Sequence, residues 1–547
     1  MLACLWSGAA ASAQAASPAD WMYEPTTFTE IKLTLPPASY QKLEEEPEVK
    51  YVPGTFELAE TDGVPGSAGP FSAPIEVGIR LKGGIGSFLD INHKAAFKVK
   101  FNSFVKGQTF DGLEKLTLNN MVQDKSMTHE TLAYQAFHAL AVPAPHTGFT
   151  YLSVNGKSYG LHLNIETQDK DSLEKQFGPF LSPPQHLYEG EYGADVTNEP
   201  WHETTEKRWE RLEIQEGKGS SKADLEALVA RVAESSPSFS QRVANVADLN
   251  EMTRMWMVEK YIGHWDGYSG EPPDGNRPNN YYLYRDASGK FLMMPWGTDQ
   301  TWEEHLDFGG DGGEGGVLFR DCWADASGCR STYIAAANEA LTKLTGPQLA
   351  TTARCTAQNL RPWQEFEATA SEAQKLPPYS LGQMATAVTR TREFIAGRPQ
   401  GLAAFLSTTA PKPRAEAPCP PLRPRGGFNP PPVSPSPPPT LSPEPPGSLR
   451  LGRLNTAGGG LALQVTTPIA GRVALLGTFE TADGPAAACR SHEIAAAAGT
   501  IVLDCQLTRA FLRRLGRRWM RLRLTAKLTP VAGAEQKAFR PVRLRRR

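Results

Sequence analysis

Residues 411–448 contain 16 prolines in a stretch of 38, and no continuous hydrophobic core can run through them. Proline lacks a backbone N–H and fixes φ, so the stretch favours an extended, semi-rigid polyproline II spacer. The chain therefore divides into a large N-terminal part and a small C-terminal part that fold on either side of a linker at 411–448. The two parts also differ in charge. Residues 449–547 hold 18 Lys+Arg and 5 Asp+Glu, a formal +13, which leaves about −15 on the rest of a 547-residue chain whose net charge is −2.

Beyond the spacer, LALQVTT, RVALLGTF, GTIVLDCQL and MRLRLTAKL are short β-rich runs separated by Gly, Ala and Pro turns. About a hundred residues of this pattern predict a small all-β immunoglobulin-like sandwich over 449–547. Its Arg513, Arg514, Arg517 and Arg518 form no nucleic-acid motif and read as a solvated turn. An acidic cell-wall or surface polymer is the partner such a basic domain would suit, and no nucleic acid is expected.

At the N-terminus, a short apolar run from Leu2 to Trp6 leads to an A-x-A site at Ala13, Gln14 and Ala15, which predicts an export signal over 1–15. Cleavage after Ala15 removes Cys4 and leaves six cysteines, an even number that suits three bridges in an oxidising compartment. Pairing by neighbourhood gives Cys322–Cys329, Cys489–Cys505 and Cys355–Cys419, the last tying the linker to the large domain. No later stretch approaches the ~20 apolar residues of a membrane span, so the expected location is secreted or cell-surface.

The large domain is assigned to 20–408. PIEVGIRLKG alternates up to the glycine-rich turn Gly83, Gly84, Ile85, Gly86, Ser87, and AAFKVKF then places Phe97, Val99 and Phe101 on one face and Lys98 and Lys100 on the other. A strand, a glycine-rich turn and a lysine-bearing strand suit phosphate: glycines admit backbone N–H groups and a lysine adds a point charge. Gly84, Gly86 and Ser87 are the candidate phosphate contacts, with Lys82 and Lys94 competing with Lys98 for the lysine. KSMTHETLAYQAFHAL then predicts a helix starting at Ser126 and carrying Glu130, which could pair with Lys98. The strands GFTYLSVNG and SYGLHLNIE follow, joined at Asn155–Gly156 and ending at Glu166, a further nucleotide-side candidate.

Residues 248–263 predict an amphipathic helix built on Leu249, Met252, Trp256 and Ile262. It runs into HWDGYSGEPPDGNRPNNYYLYRD and KFLMMPWGTDQTW, where the chemistry concentrates. Asp266 sits in a glycine-rich loop, Asn280 opens a β-like run and Asp299 follows a second strand. An aspartate to orient a hydroxyl, then an asparagine and an aspartate to hold a hard cation, is the chain order of phosphoryl-transfer enzymes.

The blocks IRLKGGIGS, KAAFKVKF, LTLNNMVQDKSMTHETLAYQAF, VPAPHTGFTYLSVNGKSYGLHLNIE, LYEGEYGADV, HWDGYSG with NNYYLYRD, and MPWGTDQTW together resemble the successive conserved stretches of the CotH family of atypical protein kinases, named for spore coat protein H. The resemblance covers roughly residues 73–305, with a helical remainder to about 408. It implies an α+β, divergent protein-kinase-like two-lobed domain that uses ATP and Mg²⁺ or Mn²⁺ to phosphorylate Ser or Thr of an unidentified secreted or surface protein. By match, Lys98 would contact ATP phosphates, Asp266 would be the catalytic aspartate, and Asn280 and Asp299 would hold metal. The chain departs from the family in reading Pro295, Trp296, Gly297, Thr298, Asp299 where many members read P-W-D-x-D. It also separates Asp266 from Asn280 by an inserted EPPDGNRP. A second reading follows from these departures and from the scarcity of ATP outside cells: a catalytically silent kinase-like surface binding or adhesion protein. Glycoside hydrolysis by Glu303 and Glu304 is weaker, since neighbours on a strand point to opposite faces.

Overall fold

Alternating apolar residues close the N-terminal strands into a barrel. Its strands are β1 (Phe28–Thr34), β2 (Val52–Glu60), β3 (Ile75–Lys82), β4 (Ala96–Lys100), β5 (Lys115–Asn119), β6 (Thr147–Val154) and β7 (Lys157–Ile165), in the order β1-β2-β3-β4-β5-β7-β6. Parallel pairing of β6 with β1 seals it, with Phe28 opposite Phe149 and Leu33 opposite Val154. Ile31, Leu33, Phe56, Leu58, Val77, Ile79, Phe97, Val99, Leu116 and Leu118 make one buried cluster, as the period of two requires. The β6–β7 hairpin turns at Asn155 and Gly156, both at positive φ (51° and 75°), the geometry for which Asn-Gly is suited.

The computed structural model describes residues 18–426 apart from 48, 85, 179–184, 202–203, 218, 272–277, 346, 370–378 and 413. It also describes 449–544 apart from 458–459, 469–470, 482–483, 496–497, 508–510, 512–519 and 531–535. The export-signal assignment, the spacer beyond 426 and the Arg513–Arg518 cluster lie outside the described residues. The chain splits into a unit up to Pro431 and a unit from Pro432.

In the first unit, α1 (Pro37–Glu45) precedes β2 and α2 (His129–Ala139) lies between β5 and β6. The helix expected from Ser126 begins three residues later. The Asp124 carboxylate accepts hydrogen bonds from the Ser126 N–H (2.7 Å), the Ser126 hydroxyl (2.6 Å) and the His129 N–H (2.7 Å). Residues 124–128 thereby form a capping turn rather than a first helical turn. After β7 comes α3 (Lys170–Phe177), capped by Asp169.

A second sheet, in the order β11-β10-β8-β9, is built from β8 (His186–Gly190), β9 (Leu212–Glu216), β10 (Tyr281–Arg285) and β11 (Phe291–Pro295). The helices α4 (Ala223–Ala233), α5 (Phe239–Val243), α6 (Leu249–Ile262), α7 (Val317–Ala324), α8 (Cys329–Lys343), α9 (Pro347–Thr369) and α10 (Leu381–Phe405) complete the unit. Helices α2, α6 and α8 join one large apolar cluster that includes Leu132, Phe137, Trp256, Ile262 and Tyr333. Residues 414–426, the opening of the proline-rich stretch, run along this unit, fixed by the Cys355–Cys419 disulfide. Cys322–Cys329 joins α7 to α8.

The second unit has a three-stranded sheet of β12 (Arg450–Ala457), β13 (Gly460–Thr467) and β16 (Gly499–Gln506). Its four-stranded sheet runs β15 (Gly484–Ala495), β14 (Gly471–Thr481), β17 (Met520–Pro530), β18 (Gln536–Leu544). Cys489–Cys505 connects β15 to β16, so all three bridges pair as neighbourhood predicts.

Candidate active site

Helix α6 delivers Asp266. It is capped by Asp248 and ends at Gly263 in the left-handed region (φ 71°). A Cβ at Gly263 would stand 2.1 Å from the Glu304 carbonyl oxygen, so glycine is required by both conformation and space. The loop that follows folds onto a buried carboxylate. Glu259 accepts from the Tyr268 N–H (2.9 Å), the Ser269 N–H (2.8 Å) and the Ser269 hydroxyl (2.7 Å). Burial raises Glu259 to about 7 despite these bonds. Asp195, fully buried, accepts from the Tyr268 hydroxyl (2.9 Å) and the Val317 N–H (2.9 Å), tying the loop to the start of α7.

Two asparagines hold the Asp266 carboxylate. Asn280 Nδ2 donates to Asp266 Oδ2 (2.8 Å) and to its backbone carbonyl (3.0 Å). Asn279 Nδ2 reaches both carboxylate oxygens at 3.3 and 3.2 Å. The inserted EPPDGNRP therefore does not keep Asp266 and Asn280 apart. Asn280 Oδ1 faces Gly297: a Cβ there would lie 2.4 Å from it, and Gly297 itself has φ 55°. The absent carboxylate at 297 leaves the space that the Asn280 amide fills.

The segment Trp296–Asp299 links this group to a second one. The Trp296 N–H donates to the Asn280 carbonyl (3.0 Å), and Lys82 Nζ stands 5.6 Å from the Trp296 ring centroid, within cation–π range. Lys82 is also the cation acting on both Glu130 and Asp299. Burial, with repulsion from Asp299, pushes Glu130 up to about 8, and Lys82 and a hydrogen bond from Asn119 oppose that rise. Burial raises Asp299 to about 6, opposed by Lys82 and reinforced by Asp124. Glu130 and Asp299 thus share the influence of one lysine, while Asp124 lies against His129 (3.4 Å). His129 pins the arrangement: its Nδ1 contacts the Asp299 carbonyl (2.9 Å), its Nε2 contacts Thr391 Oγ1 on α10 (2.9 Å), and its own carbonyl accepts from Trp302 Nε1 (3.1 Å).

Lys98 lies on the same barrel face, opposite Arg80 in register, but it looks toward β8. Burial, reinforced by Arg80, Lys82 and Lys115 and opposed by Glu189, lowers Lys98 to about 8. Glu189 also shares a hydrogen bond with the Tyr282 side chain. The lysine whose charge acts on Glu130 is Lys82, which β3 carries two residues beyond the Arg80–Lys98 pair, and among the described residues no ion pair joins Glu130 to Lys98. Lys94 is buried (2% exposed), and its Nζ has no hydrogen-bond partner. Its backbone carbonyl and that of Ser87 both accept from Asn120 Nδ2, at 2.9 and 3.1 Å. Within the glycine-rich turn the Gly84 N–H donates to Ser87 Oγ (3.1 Å), and a Cβ at Gly86 would meet the Gln123 amide at 2.7 Å. Glu166 sits apart from the Lys82 group. Burial would raise it, but His146 (2.7 Å) and Lys175 (3.1 Å) hold it down to about 2. Glu303 and Glu304 are exposed.

Sequence reasoning missed Asn279, Asp124, His129 and Glu259. The first three stand inside quoted blocks and the Asn-Asn doublet was a usable signal; Glu259 reads as an ordinary helix acid until the loop folds back on it. Among the described residues no group of three or more His, Cys, Asp or Glu side chains could hold a metal ion, and no helix is long and apolar enough to cross a membrane.

Comparison with known proteins places these residues in a family. The model described as "CotH kinase protein" matches residues 79–402. "Inner spore coat protein H" of Bacillus subtilis (strain 168) is 24% identical over 204 residues, 37% of this chain and 53% of that protein. "Invasin CotH2" of Rhizopus delemar is 24% identical over 199 residues, 35% of this chain and 32% of its own length. The chain thus spans about half or less of the curated relatives it matches. With the family match running from β3 through the glycine-rich turn, Asp266 and Asp299 into α10, the chain belongs to the CotH kinase protein family.

Proposed function

We propose that this chain is an exported or surface-located atypical protein kinase that transfers the γ-phosphoryl group of ATP to Ser or Thr of another protein, through a two-lobed kinase-like domain. The observation that carries the reading is the shared Trp296–Asp299 segment, which meets the Asp266–Asn280 pair on one side and the Lys82–Glu130 group on the other. Surface-associated relatives, a spore coat protein and an invasin, support the location.

A divalent cation fits the donor set. The carboxylate oxygens of Asp299 and the amide oxygen of Asn280 are hard donors of the kind that suit Mg²⁺ or Mn²⁺. That no three-acid cage stands among the described residues is compatible with this, because Mg²⁺ commonly takes one or two protein carboxylates plus substrate phosphates and water. Asp299 and Asn280 would hold the ion, which would neutralise developing charge on the phosphates. Lys82, the lysine in range of both acids, would place the phosphates, with the turn at Gly84, Gly86 and Ser87 offering backbone N–H groups. Asp266, fixed in one rotamer by Asn279 and Asn280, would orient the acceptor hydroxyl and take its proton. For the second unit, the order β12-β13-β16 and β15-β14-β17-β18 supports an immunoglobulin-like sandwich, a module suited to holding a surface polymer or protein.

The test separates the roles. Asp266→Ala should leave MgATP binding nearly intact and lower turnover by about 10²-fold or more. Asp299→Ala and Lys82→Ala should weaken MgATP binding itself, and Lys98→Ala should do so less than Lys82→Ala. Full activity in Asp299→Ala would reject the residue assignment. The engagement of Asn280 with Asp266 and the glycine at 297 favour the second reading, a silent binding domain. A MgATP thermal shift without phosphoryl transfer to any protein would decide for it.

A further inference from the structure

The proline-rich stretch begins as a bound segment of the large unit. Its first anchor is on α9 and α10: Glu416 pairs with Arg354 (2.6 Å) and Arg392 (2.9 Å), the Ala417 N–H donates to Thr351 Oγ1 (3.0 Å), and Cys419 bonds Cys355. Its second anchor is on the barrel. The Arg423 N–H donates to the Thr26 carbonyl (3.1 Å), and its guanidinium stands 4.8 Å from the Trp21 ring centroid. The Arg425 guanidinium pairs with Asp62 (3.0 Å), and the Gly426 N–H donates to Glu60 (2.9 Å). Between the anchors Leu422 covers Gly63, where a Cβ would fall 2.4 Å from Leu422 Cδ1, and the Gly63 carbonyl accepts from Trp363 Nε1 of α9 (2.9 Å). The connection from β2 to β3 is thus gripped by α9 and by this segment together, and β3 leads directly to Lys82.

The three disulfides differ in exposure. Cys322 and Cys329 are 1% and 0% exposed, Cys489 and Cys505 are both 0%, and Cys355 is 4%, whereas Cys419 is partly exposed. Arg354 Nη1 also lies 2.9 Å from Cys419 Sγ. A guanidinium there stabilises a thiolate and so favours the reduced state.

We propose that residues 414–426 are a brace between the helices and the barrel, and that Cys355–Cys419 is a redox latch that closes it and sets the position of β3 and Lys82. A dithiol reductant opens the latch. One of its thiolates attacks Cys419 Sγ, the sulfur–sulfur bond breaks, and the electron pair leaves on Cys355 Sγ, which takes up a proton. The second thiol of the reductant then displaces Cys419, which leaves as a thiolate beside Arg354, and the reductant becomes a cyclic disulfide. In an oxidising compartment the brace is locked; in a reducing one the β2–β3 connection loosens.

This inference rests on the nucleotide-binding reading of the Lys82 group, and the test keeps the two apart. The full chain is titrated with dithiothreitol under native conditions. Alkylation mapping should show Cys355 and Cys419 reduced at least tenfold faster than the other four bridged cysteines. Hydrogen exchange at 414–426, at 58–66 and along β3 should rise at least tenfold, and MgATP affinity should fall several-fold. Asp62→Ala, which removes the Arg425 ion pair and so loosens the barrel end with the disulfide intact, should raise exchange at 58–66 and β3 and weaken MgATP in the same direction. Unchanged exchange along β3 in both the reduced protein and Asp62→Ala overturns the proposal, as does reduction of all three bridges at one rate. A chain that binds no MgATP in either state refutes the nucleotide reading, while the exchange at 58–66 and β3 still decides the brace.

Discussion

Glu130→Gln should stabilise the protein in alkaline solution and leave it unchanged in acid. The folded chain holds Glu130 as the neutral acid up to about pH 8, against an ordinary value of 4.5, mainly because it is buried and secondarily because Asp299 is near. Between these two values the folded chain keeps a proton that the unfolded chain has released. Its stability therefore falls as pH rises through that window, by about 1.4 kcal/mol per pH unit. The full window gives about 5 kcal/mol as an upper figure. Part of that is repulsion shared with Asp299, so about 2–5 kcal/mol is the expected range. Glutamine keeps an acceptor for Asn119 Nδ2 and never ionises. At about 2.1 cal/mol/K per residue, the unfolding entropy of a unit of some 400 residues turns this into about 2–6 °C in Tm. Calorimetry of both proteins from pH 5 to pH 9 measures it. Other buried acids such as Glu259 and Asp169 act equally in both proteins and cancel in the difference. Mg²⁺ should narrow the gap at pH 8.5 by stabilising the wild type. A difference curve that is flat from pH 5 to pH 9 would refute the claim that Glu130 is buried without sufficient cationic compensation.

Two further outcomes follow from the loop geometry. Gly297→Ala places a Cβ 2.4 Å from Asn280 Oδ1 at a residue with φ 55°, so denaturant unfolding should show a loss of about 1–3 kcal/mol, and turnover should drop because Asn280 can no longer hold Asp266; equal stability would mean that the amide is free to move aside. Glu259→Gln keeps one acceptor and puts an NH2 where the carboxylate accepts from either the Tyr268 N–H or the Ser269 N–H and hydroxyl, so kcat should fall while MgATP binding is kept, and a loss confined to MgATP binding would contradict the loop-building role.

What the sequence determined by itself was local or serial. Alternation in AAFKVKF placed Phe97 and Val99 in the core, because strand periodicity needs no knowledge of partners. Asn155–Gly156 fixed a hairpin, and the three cysteine pairs followed from neighbourhood. The order of blocks, each weak alone, identified the family. Tertiary structure decided every pairing that depends on distance through space. The lysine-bearing strand pointed to Lys98, with Lys82 and Lys94 competing; only barrel closure and the position of α2 put Glu130 under the charge of Lys82 and Lys98 under that of Glu189. The sequence left the convergence of Asp266 and Asn280 across the inserted loop to be assumed, and two side-chain amides close it, because a hydrogen bond is set by where the ends lie and not by the chain between them. The proline-rich stretch is the plainest case. Composition fixes that it is extended, since proline cannot join a helix or an inner strand, but whether an extended segment hangs free or lies on a surface depends on the groups it meets. Cysteine neighbourhood already tied Cys419 to Cys355, but Glu416, Leu422 and Arg425 meet Arg354, Gly63 and Asp62, residues that no local reading could have brought together.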